Sequence, residues 1–279
     1  MVRNLRLGMT TSKLVKTIIL VVLLIAASSY LGNIGRQIGQ LSDAIFSLSM
    51  DTLYPFIWLL LALALVAITA GLVAALVRPL WICFIAFALA SLAVLFIWGL
   101  NLISIVLAVM YFLAGLLYSR GVAKGLNERI NFSVHPIKDN QTILLTVLII
   151  AACALFYSGY AAQIEREGFT TPPFVIDMVT GMAEGQIERS PGLTPEEKEQ
   201  AIAEFRQQFE QQVEDAIRPY QQFVPIGIAI ILLGLLTTII GLLSWLPTLI
   251  LRAIFAILAA CHVTSVVTEM QEVKRLTID

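Results

Sequence analysis

The chain has 279 residues, 58% of them hydrophobic and 13% charged, with a mean hydropathy of +0.87. Soluble domains carry about 25% charged residues, so this composition excludes an ordinary water-soluble globular protein and points to an all-α polytopic membrane bundle. The net charge of −1 excludes a basic nucleic-acid binder and conceals a split: residues 164–222 hold twelve acids and five bases, the remainder seven acids and thirteen bases.

In chain order, runs of roughly 20 apolar residues, the length that crosses a hydrocarbon layer of about 30 Å, recur at 14–31, 54–77, 80–98, 101–118, 142–162, 224–244 and 247–268. Seven spans fit best, and six result if one weak hairpin fails to cross. Arg78 and Pro79 separate the second span from the third, and the segment Trp98 to Asn101 separates the third from the fourth. Prolines 55, 79, 225 and 247 stand at or near expected helix starts, where a missing N–H costs least. The first run also has a signal-peptide reading, with Ala26 to Ser29 as the cleavage region.

Lys and Arg in short loops set the orientation. Arg3, Arg6, Lys13 and Lys16 precede the first span and place the N-terminus in the cytoplasm. Alternation puts Arg78, Arg252 and a 119–141 loop bearing Arg120, Lys124, Arg129 and Lys138 on the same side. The acidic segment then lies outside. Seven spans leave an external C-terminus that bears Lys274 and Arg275, against the charge rule. The domain plan is five spans in 1–163, an extracytoplasmic acidic hairpin in 164–222, and two spans with a short tail in 223–279.

Three amphipathic stretches fall outside the spans. Ile34, Ile38, Leu41, Ile45 and Leu48 recur at helical spacing within 33–50, predicting an external helix. A weaker stripe in 173–189 has Val175, Met178, Val179 and Met182 on one face. The strongest runs from Pro195 to Arg218, about 36 Å of helix, and carries Ile202, Phe205, Phe209, Val213, Ile217 and Tyr220 on one stripe. Thr194, Pro195 and Glu197 form its N-terminal signature, a T-x-x-E capping box with proline at the first helical position. Pro219 ends or kinks it. These helices can bury one another as a small cap. Ile202, Phe205, Phe209, Val213 and Ile217 are otherwise the candidate face for a protein partner or a second copy, or for the membrane surface.

Charge inside the spans is scarce. No ionisable residue other than cysteine and tyrosine lies between Arg78 and Arg120, or between Asp51 and Arg78. This disfavours proton- or sodium-coupled transport, which needs a buried polar site. The intramembrane polar candidates are Arg252, His262 and Asn101. Arg252 reads as snorkelling to cytoplasmic headgroups, His262 as a hydrogen-bonding residue between helices, and Asn101, with Ser104, as the cap of the fourth span. Small residues spaced by four at Gly71/Ala75, Ala86/Ala90 and Ala256/Ala260 offer packing faces. Cys83, Cys153 and Cys261 all lie in apolar runs without metal-ligand spacing. No zinc-protease helix, nucleophile elbow or phosphate loop occurs. No catalytic residue, metal or cofactor is expected.

The sequence therefore reads as a multi-pass protein of the cell membrane, in contact with lipid, serving as a non-catalytic subunit or scaffold whose external helices meet a partner or another copy. The alternative is a channel, or a carrier for lipid or another apolar substrate.

Overall fold

The computed structural model describes residues 11–40, 50–128, 134–169, 171, 173–187 and 194–261. Among these every regular element is helical: α1 (Thr11–Gln40), α2 (Met50–Leu76), α3 (Leu80–Trp98), α4 (Leu102–Asn127), α5 (His135–Glu167), α6 (Pro173–Ile187), α7 (Pro195–Ile217), a 3-10 stretch (Arg218–Phe223), α8 (Val224–Leu243) and α9 (Trp245–Ala260). With no water in hydrocarbon to satisfy backbone groups, such helices keep their hydrogen bonds internal, which is what a spanning segment requires. Among the described residues six segments are long and apolar enough to cross a membrane: one each in α1 to α5, and one within the continuous run of helical elements Glu196–Ala260.

The most enclosed helix is α2, which packs on α1, α4, α5 and α9. Its buried face is built from small residues, including Ala62, Ala67, Ala70 and Ala74, all at 0% exposure, so neighbouring backbones approach closely. Around it, α1 packs on α3, α3 on α4, and α4 on α5; α8 lies outside, against α5. Large apolar side chains such as Phe96, Leu102, Leu117 and Ile231 point outward. In a soluble protein these would be liabilities; on a spanning bundle they are the lipid-facing surface.

Two glycines make the sharp turns. Gly99, at φ 88°, ends α3, and Gly168, at φ 81°, ends α5; both adopt the left-handed region that side chains disfavour. The Trp98 indole N–H donates to the Gly32 carbonyl at 3.0 Å, which fixes the end of α3 against α1.

The structure differs from the sequence reading in four places. Residues 33–40 do not begin a separate external helix but continue α1, with Ile34 and Ile38 buried in the bundle core. A helix of 30 residues is about 45 Å long, and its far end still finds apolar neighbours in α3 and α5. The rest of the 33–50 prediction, up to the start of α2, lies outside the described residues. The 119–141 segment is mostly helix rather than loop, because α4 runs to Asn127 and α5 starts at His135. Gly121 and Gly125 are the reason these ends pack: a Cβ at either would strike Asn140 or Pro136 of α5. Pro55 lies inside α2 rather than at its start.

The fourth difference is at the junction of α8 and α9. From α8 to α9 the chain does not turn back. Ser244 alone separates the two helices and keeps right-handed helical backbone angles of −59° and −22°. The neighbours on α5 advance steadily in one direction: Ile150 to Tyr157 beside Ile226 to Leu233, then Leu145 beside Leu243 and Pro247, then Ile137 near Leu251 where both press on Gly71. So α9 continues toward the end of the bundle where α5 begins. The bend has an identifiable cause. Pro247 offers no N–H to the Leu243 carbonyl and its ring crowds that group, which kinks a helix without reversing it.

Candidate functional site

Thr194 caps α7 by accepting the Glu197 backbone N–H at 3.3 Å, while the Glu197 carboxylate accepts the Thr194 backbone N–H at 2.7 Å. This is the capping box expected from the sequence. The backbone N–H of Thr194 and then its hydroxyl hold the Glu197 carboxyl below the usual carboxylate range. From that start α7 presents Ile202, Phe205, Phe209, Val213 and Ile217 as one stripe, and all five are half-buried. Phe205 and Phe209 stack with ring centroids 6.2 Å apart.

The partner of this stripe is α6. Arg206 donates to Asp177 across the hairpin at 3.1 Å, linking the middle of α7 to the first half of α6. With 15 residues, α6 spans about 22 Å against about 34 Å for the 23 residues of α7. Its inward residues are Ile176 and Thr180, both buried. Of the stripe predicted for it, Val175 and Val179 are half-buried, whereas Met178 and Met182 turn outward at 45% and 65% exposure. A correction follows: the methionines are not the face that packs on α7. Tyr220 and Phe223 are exposed just before α8.

The intramembrane candidates do not come together. Asn101 caps α4 by accepting the Ser104 backbone N–H at 2.7 Å. Arg252 is exposed on α9, with no ion pair recorded to any described residue. His262 lies outside the described residues. Of the cysteines, Cys83 and Cys153 are buried and free, and Cys261 is exposed at the end of α9. Cys83 donates weakly to the Val73 and Val77 carbonyls of α2 at 3.6 and 3.4 Å.

Two features were not legible in the sequence. The first is a polar seam on α4, where Ser104, Tyr111 and Tyr118 repeat at seven-residue spacing and are fully buried. Tyr111 shares a hydrogen bond of 2.7 Å with Ser28 of α1, and both tyrosines meet the Phe87 ring edge to face at 6.3 and 6.5 Å. The Ser104 and Tyr118 hydroxyls have no protein partner among the described residues. Among the described residues no carboxylate or imidazole hydrogen-bonds to these hydroxyls. The second is an apolar crevice of about 300 Å3 where α2, α5, α8 and α9 meet. Among the described residues no three of His, Cys, Asp or Glu converge as a metal site.

No protein-family model, curated protein sequence or solved structure matches this chain.

Proposed function

We propose that this chain is a non-catalytic subunit or scaffold of the cell membrane, whose α6–α7 hairpin stands on the extracytoplasmic side and receives a protein partner. The observation that carries this reading is the outward pair Met178 and Met182, one turn apart on a helix whose other face is already occupied by α7. Flexible thioethers make adaptable contact surfaces, and no packing within the hairpin accounts for turning them to solvent.

Charge supports the orientation. Arg78, Arg120, Lys124 and Lys138 lie at the end of the bundle where α2 and α4 finish and α3 and α5 begin. The acids of α7 lie at the other. Positive residues are retained in the cytoplasm, so the hairpin falls outside. The Arg120 guanidinium rests 5.4 Å from the centre of the Phe84 ring, a placement suited to the headgroup boundary. Six spans rather than seven would bring Lys274 and Arg275 back inside, which supports the continuous α8–α9 path.

A photo-crosslinking amino acid at Gly181, exposed beside the two methionines with open space around it, tests the proposal in intact membranes. A discrete adduct of fixed mass, lost when Met178 and Met182 are both replaced by Glu, is the expected result. A chain that yields adducts only with lipid, and purifies as a monomer alone, overturns it.

A further inference from the structure

We propose that the crevice between α2, α5, α8 and α9 holds one acyl chain of a bilayer lipid as a lasting part of the fold. This goes beyond the partner reading and is independent of it, resting only on the spanning bundle.

The crevice exists because of the Pro247 kink. Before the kink α8 lies on α5; after it α9 crosses to α2. The two diverge and leave a wedge backed by Leu63, Ala64 and Ala67 of α2 and Leu145 of α5, and flanked by Leu243 of α8 and Leu246 of α9. At about 300 Å3 it matches the lower bound of ligand cavities. Ala64 and Ala67 make the room, since bulkier residues there would fill it.

The chemistry of the walls selects the occupant. Ser244 is the only lining residue with a polar side chain, and its hydroxyl donates to the Gly241 carbonyl at 3.0 Å. The nearby Thr248 hydroxyl donates to the Ser244 carbonyl at 3.3 Å. Apart from the Ser244 hydroxyl oxygen and the Leu243 carbonyl that Pro247 cannot serve, the walls offer no polar group, so water, a headgroup or a polar metabolite finds few partners there. The rim is apolar too: Ile57, Leu61 and Leu246 are exposed beside the opening. The opening therefore faces hydrocarbon rather than solvent. A flexible chain entering a dry concavity gains contacts on three sides, where a lipid on a flat helix face gains them on one.

The test places purified protein in phosphatidylethanolamine–phosphatidylglycerol vesicles containing a phospholipid with a diazirine on its acyl chain. After photolysis, the expected adducts concentrate on residues 57–67 and 240–247, at least threefold above the lipid-facing surface of α4. Ala64→Phe should reduce them at least threefold and leave the α4 adducts unchanged. Continued protection of Cys83 and Cys153 from thiol reagents verifies that the variant is folded, and Ala64→Leu supplies the smaller step should Phe prove too large. Adducts spread evenly over all outward faces, or a crevice signal that a folded Ala64 variant does not lower, would overturn the proposal. So would protection of the crevice by a second copy of the chain.

Discussion

Gly115 lies where α4 packs on α3, and any Cβ there would enter the ring of the fully buried Phe87. The ring in turn meets Tyr111 and Tyr118, so it has nowhere to withdraw. Gly115→Val is expected to destabilise the bundle by about 1–3 kcal/mol, the usual range for overpacking, read as a lower thermal midpoint in detergent. The capping box predicts a pH effect. The Glu197 carboxyl titrates below its unfolded range, so its stabilisation of the first turn of α7 is complete above that range and fades as pH falls through the depressed value. Hydrogen exchange of the amides of residues 196–199 should therefore quicken in acid, relative to the middle of α7. Thr194→Ala should quicken it already at neutral pH, at a cost of about 1 kcal/mol to the helix end. Both Thr194 and Asn101 were readable as caps because a cap is settled within four residues. Gly121 and Gly125 were not, although they have the spacing of a packing motif, since only the length of α4 reveals that they are in a helix at all.

At the scale of elements, proline is the ambiguous letter. Pro79, Pro225 and Pro247 stand near helix starts as expected, Pro247 at a junction where the chain runs on, while Pro55 is accommodated inside α2. Sequence alone cannot separate a helix start from a kink, because both tolerate the same missing N–H. The deciding information is what the following turn touches, and for α9 that is Gly71 and Ile137. Pro247→Ala should straighten the junction. Kinks commonly exceed about 20°, so over the about 24 Å of α9 its end should swing by about 8 Å. Spin labels at Ala260 and Lys138 would report this as a changed distance. An unchanged distance would mean that packing on α2, not the proline, sets the bend. The facing of α6 was similarly hidden: Ile176, Thr180, Met178 and Met182 all fit a helical period, and only the presence of α7 sorts them into inside and outside.

For the molecule as a whole, hydropathy was the most legible property, since helices that bury only part of their surface must still be apolar all round. The crossing number was less so, because it depends on one junction. The six-crossing reading makes a clear prediction with the native thiols. Val224 to Cys261 covers about 55 Å of helix, well beyond a hydrocarbon layer of about 30 Å, so Cys261 should react with a membrane-impermeant maleimide. It should do so from the same side as a cysteine placed at Lys124, and from the side opposite one placed at Glu184. Cys83 and Cys153, enclosed in the bundle, should stay unmodified until the protein is denatured. Reaction of Cys261 from the hairpin side would restore the seven-span arrangement.

The continuous run of helical elements, 65 residues from Glu196 to Ala260, has a mechanical meaning. In the six-span arrangement proposed above it is a single shaft with two joints, the 3-10 stretch at Pro219 and the bend at Pro247, with its ends in different compartments. A load that tilts the acidic end need not be relayed through side-chain networks to be felt beyond the opposite leaflet. The backbone itself is the linkage, and the stiffness of those two joints sets how much of the movement arrives.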